Sequence, residues 1–121
     1  MKYLGIFLLV VLFFSGCKDN EVACTMEFRY VSITIVGASL DSFHTQRLST
    51  GDIILLGQES VFGDSIYPVL DDSYQQMLEG RVENFRFRGF IRDSLVVDEL
   101  FVISADKCHI DYVSGRQRVE L

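Results

Sequence analysis

The chain has 121 residues, 17 acidic and 11 basic, with a formal charge of −6 at pH 7. That balance argues against a nucleic-acid partner, which needs a basic face, and against a polybasic contact with an anionic membrane. One proline and nine glycines exclude a collagen-like or low-complexity chain, and the length allows one packed core, not two.

Lys2 is followed by an unbroken apolar run, Tyr3 to Phe14. As a helix that run spans about 18 Å, short of the roughly 30 Å of a bilayer core, so it reads as a cleavable signal and not a permanent span. Phe14-Ser15-Gly16-Cys17 then resembles the bacterial lipobox, with small residues before a cysteine thiol that accepts a diacylglycerol. Phe14 stands where leucine is usual. The resemblance implies a signal peptide over residues 1–16, lipidation at Cys17, and anchoring to the membrane through the N-terminal lipid. Each buried methylene contributes about 0.8 kcal/mol, so two or three acyl chains hold firmly where one does not. An ordinary secreted protein with a free cysteine is the alternative. Residues 17–23 are then the lipidated cysteine and a tether, and residues 24–121 a single domain, one charge more negative once Lys2 is removed. In the tether, Asp19 and Glu21 either form an acidic export signal, like that of Bacteroidota surface lipoproteins, or a plain solvated linker.

Of three cysteines, lipidation leaves Cys24 and Cys108, in a compartment that permits disulfides. A Cys24–Cys108 bridge is expected, contributing about 4 to 5 kcal/mol in the chain-entropy account; two separate buried thiols are the alternative.

Period-two alternation organises most of the domain. In Thr25 to Val36 the apolar set is first Met26, Phe28 and Tyr30, then Val31, Ile33 and Ile35. This phase slip predicts a bulge or bend near Tyr30-Val31. Leu40 to Leu48 is a weaker strand, Ser49 to Asp52 a turn, and Ile53 to Leu56 a short buried strand ended by Gly57. Gln58 to Ser65 reads as a loop. Ile66 to Leu70 is a strand that Pro68 confines to an edge. Asp71 to Tyr74 suggests a turn or helix cap before one helical turn stopped by Gly80. Arg81 to Arg92 is a strand with Val82, Phe85 and Phe87 on one side and a bulge at Gly89. Asp93-Ser94 turns the chain. Leu95 to Ser104 looks like a central strand buried on both faces. His109 to Val113, a Ser114-Gly115 turn and Gln117 to Leu121 read as a closing hairpin. Seven or eight short strands with little helix predict an all-β sandwich.

The segments Cys24-Thr25-Met26-Glu27-Phe28-Arg29 and Ala105-Asp106-Lys107-Cys108-His109-Ile110, with Val113-Ser114-Gly115, resemble a group of small Bacteroidota lipoproteins. That resemblance implies an immunoglobulin-like or transthyretin-like (carboxypeptidase regulatory-like) sandwich, a terminal disulfide and a surface or periplasmic lipoprotein. It implies no catalytic residues.

Candidate chemistry is sparse. His44 and His109 are each alone, and a bridged Cys108 cannot join His109 as a ligand, so a structural histidine is expected and no metal. Asp64, Asp71 and Asp72 read as turn and capping carboxylates in the absence of a calcium-loop pattern. There is no Gly-x-Ser-x-Gly, and Asp98 and Glu99 point to opposite faces of a strand. No cofactor and no enzymatic activity are expected. Arg86, Arg88 and Arg92 are the candidate ligand face, suited to anionic sugars or carboxylates. The competing reading is a solvated face with Glu83, Asp98 or Glu99 as partners. Together these readings predict a non-enzymatic binding module at the bacterial outer membrane, surface-exposed, with a protein or glycan partner. The alternative is a periplasm-facing structural accessory of an outer-membrane assembly.

Overall fold

The computed structural model describes residues 23–57 and 65–121. The signal-like stretch, Cys17, residues 18–22 of the tether, Asp64 and most of the expected 58–65 loop lie outside the described residues.

The elements are β1 (Tyr30–Val36), β2 (Ser42–Arg47), β3 (Ile53–Ile54), β4 (Ile66–Asp71), a 3-10 turn (Asp72–Tyr74), α1 (Gln75–Leu78), β5 (Val82–Ile91), β6 (Ser94–Ala105), β7 (Ile110–Ser114) and β8 (Arg118–Glu120). Among the described residues the strands form two sheets, one ordered β4-β1-β8 and the other β3-β2-β5-β6-β7. The chain is an all-β sandwich.

The core lies between the sheets. Val31, Ile33, Ile35, Tyr67 and Val69 of the smaller sheet meet Phe43, Phe85, Phe87, Phe101 and Ile103 of the larger. Each set comes from alternate strand positions, as a half-buried strand requires. Phe43 sits over Tyr67 edge-on and stacks with Phe87, with ring centroids 5.2 and 5.8 Å apart. The Thr45 hydroxyl is buried in this core, where it donates to the Val69 carbonyl at 2.6 Å. That carbonyl lies at an irregularity: Val31 faces Leu70 while Ser32 faces Pro68, so Val69 is the extra residue of a bulge on β4.

Several expectations hold. Pro68 lies on edge strand β4, where a missing N–H costs no ladder bond. Asp71 caps the 3-10 turn by accepting from the Ser73 N–H at 2.9 Å. The β5–β6 register shifts between Gly89 and Phe90.

Other expectations need correction. β1 starts at Tyr30 and not at Thr25. The irregularity expected near Tyr30-Val31 does fall there, between Val31 and Ser32, but its extra residue is on the partner strand β4, and β1 keeps its alternation. Val82 is exposed, because an odd spacing separates it from Phe85 and Phe87. In the Ile53 to Leu56 stretch only Ile54 is buried; Ile53 and Leu55 face outward. β6 is buried on one face, with Leu95, Val96 and Leu100 exposed on it. β6 pairs antiparallel on both sides, and such sheets commonly keep one wet face. β8 does not return along β7. It crosses to the other sheet and pairs in parallel with β1, Ile35 opposite Val119.

That crossing depends on Gly115. Its φ is +133°, and a Cβ there would lie 2.6 Å from the Phe101 ring and 2.9 Å from the Leu100 carbonyl oxygen. Gly51 also has positive φ, but a Cβ there would meet nothing within 4 Å. Gly51→Ala therefore costs about 1 kcal/mol and Gly115→Ala two to three times as much, since overlap adds to backbone strain. Urea midpoints of the two variants check this; equal midpoints would contradict it.

Candidate functional site

Outward-facing residues of β5 alternate with its core phenylalanines. Arg86 and Arg88 therefore share the solvent face of the larger sheet. Both turn to Asp98 on β6: Arg86 Nη1 donates to Asp98 Oδ1 at 2.9 Å, and Arg88 Nε lies 3.9 Å from the same oxygen. Each of the three is about one-third exposed, so the pairing orients them more than it stabilises the fold. Across the sheet, Gln46 and Ile53 continue the row of Arg86 and Leu100, while His44 continues that of Arg88 and Asp98.

His44 packs against the Phe90 ring, centroids 5.7 Å apart. Its Nε2 is buried and has no hydrogen-bond partner among the described residues. Burial, then the Arg88 charge, pushes its pKa below the ordinary value, so the ring is neutral at pH 7. Exposed Ile53, Leu95, Val96 and Leu100 surround this polar centre.

Arg92 does not belong to the face. It and Asp93 form the two-residue β5–β6 turn, with φ of 50° and 62°. Two positive-φ residues match the twist of a tight hairpin, and Asp41 steadies the turn by accepting from the Arg92 N–H at 2.6 Å.

The second concentration of polar groups lies around the disulfide. Cys24 and Cys108 are bonded, with Cα atoms 5.2 Å apart. Residues 24–29 form a strap leading into β1. The bridge places the neighbours of the cysteines together, Thr25 Oγ1 lying 2.9 Å from His109 Nε2. His109 Nδ1 is 2.7 Å from Asp72 Oδ2. Asp72 also accepts from the Arg29 N–H and the Ile110 N–H, both at 2.8 Å. Burial opposes ionisation of Asp72, but these two N–H groups and His109 outweigh it and hold its pKa below the ordinary value. Asp106 caps the loop by accepting from the His109 and Cys108 N–H groups, which lower its pKa. Arg29 reaches Glu27 and Asp111.

Hydroxyl, imidazole and carboxylate stand here in the order of a hydrolase relay. The same groups tie the strap to the domain, and Thr25 also hydrogen-bonds Glu27. Asp71 and Asp72, considered as capping carboxylates, both bond backbone N–H groups; Asp72 additionally orients His109. Comparison with family models, curated proteins and solved structures found no match for this chain.

Proposed function

We propose that this chain is a lipid-anchored, non-enzymatic interaction module of the bacterial envelope, held at the outer membrane through Cys17. Its binding face would be the solvent side of the larger sheet, centred on Arg86 and Arg88. The observation that carries this reading is the composition of that face. Two arginines sharing one carboxylate, a neutral histidine with an unpartnered nitrogen, and exposed aliphatic side chains around them resemble the centre of a protein interface more than a solvated sheet. Arginine stacks and forms bidentate bonds, so a carboxylate-bearing protein or glycan suits it. The resemblance to small Bacteroidota lipoproteins supports the address, and the lipobox-like Phe14-Ser15-Gly16-Cys17 supports the anchor.

The test is cross-linking in the native envelope. Arg86→Ala/Arg88→Ala should lose a cross-linked partner by tenfold or more while thermal stability changes little, because exposed pairs contribute only about 0 to 1 kcal/mol. Unchanged cross-linking would reject the face. Proteolysis of intact cells decides between cell-surface presentation, in which the domain is removed, and the periplasm-facing accessory, in which it is spared.

A further inference from the structure

The strap inverts the usual polarity of a protein surface. The odd-numbered Thr25, Glu27 and Arg29 are exposed but bond His109, Asp111 and each other, and beyond them Val31, Ile33 and Ile35 fill the core. Beyond the bridged Cys24, the even-numbered residues Met26, Phe28 and Tyr30 are apolar and exposed. Met26 is fully exposed at 103%, Phe28 is 52% exposed and Tyr30 at the start of β1 is 38% exposed. Phe28 and Tyr30 pack edge to face, ring centroids 5.2 Å apart, so they form one raised aromatic patch. A strap evolved to meet water would place these residue types the other way round.

We infer that the strap rests on a lipid surface, with Met26, Phe28 and Tyr30 entering the headgroup region of the bilayer that carries the chain. This rests on the anchor reading. Six residues separate Cys17 from Cys24, and the seven Cα–Cα steps fully extended reach at most about 25 Å. The disulfide pins Cys24 to the domain within that distance of the anchor, and the patch begins two residues beyond it. Tyrosine and other aromatic rings favour the membrane–water interface. Glu27 and Arg29, the charges of the strap, are both partly exposed and neutralise each other at 2.7 Å.

The sequence has no tryptophan, so Phe28→Trp in the full-length protein reports on this site alone. The protein is reconstituted in vesicles of phosphatidylethanolamine and phosphatidylglycerol brominated high in the acyl chains. Its emission should shift to the blue and be quenched several-fold more than that of Leu55→Trp, which lies beside the other sheet. Met26→Trp, at a fully exposed position, should behave alike and covers any folding defect of the first variant. Quenching equal to the Leu55→Trp control overturns the inference, as does a lipid-independent blue shift in a protein with the mass of a dimer, which would make a second copy the occupant. Intact mass of the same sample reports acylation of Cys17. An unmodified Cys17 removes the anchor reading, while the quenching result still decides whether the strap meets lipid.

Discussion

Replacing Cys24 and Cys108 together by serine is expected to lower stability by about 4 to 5 kcal/mol. The bond joins residues 84 apart in sequence and encloses nearly the whole domain, so its main effect is to restrict the unfolded chain. The bonded ends are already held in the folded state by Thr25–His109, His109–Asp72 and the Arg29 N–H to Asp72. Losing the bridge therefore destabilises globally and frees the strap locally. Guanidinium unfolding with and without reductant measures the first effect, and reductant should act on the parent but not on the double variant. Hydrogen exchange measures the second: the Arg29 amide should open below the global unfolding energy only in the variant. A loss under about 1 kcal/mol would mean that the unfolded chain keeps its ends together without the bridge.

Glu83→Gln should cost about 3 kcal/mol, the scale for breaking one side of a buried ion pair. Glu83 and Arg47 are only 10% and 11% exposed and are joined by two parallel bonds, Nε to Oε1 at 2.9 Å and Nη2 to Oε2 at 2.7 Å. The Ser49 hydroxyl donates to Oε1 as well. The guanidinium holds the Glu83 carboxyl at about 2, well below its ordinary 4.5. Because the folded value lies below the unfolded one, the pair stabilises fully above pH 4.5 and is lost as pH falls from there toward 2. Glu83→Gln should flatten this acid limb while leaving Arg47 buried without its counter-ion. Replacing both partners by Arg47→Met/Glu83→Leu should recover most of the stability at neutral pH. A double variant no better than Glu83→Gln would show that the pair matters for more than mutual neutralisation.

Glu83 also shows where the sequence is legible and where it is not. Strand spacing reveals the sandwich, the edge position of Pro68 and an irregularity at Gly89, though its extra residue is Val96 on β6. It does not settle who pairs with whom. By sequence Glu83 is one of three candidate partners for the arginines of β5, but its odd number places it on the inward side with Phe85 and Phe87, where Arg47 arrives from β2. Asp98, another of the three, is directly opposite Arg88 and does pair with the arginine face. The Thr25–His109–Asp72 chain is half legible. A bridge between Cys24 and Cys108 forces Thr25 and His109 together, but the arrival of Asp72 depends on the β1–β4 ladder and cannot be read from local pattern. The closing strand misleads for a related reason: Ser114-Gly115 has the composition of a hairpin turn, and the +133° φ of Gly115 carries the chain away from β7.

The parallel seam between β1 and β8 also governs timing. The Thr34 N–H donates to the Gln117 carbonyl, and the Val36 carbonyl accepts from the Leu121 N–H, so the smaller sheet cannot close until those distant residues have been synthesised. Pairings across so long a contour form slowly. A nascent chain of this design therefore keeps its smaller sheet open, and its hydrophobic face uncovered, until the last residues have been made.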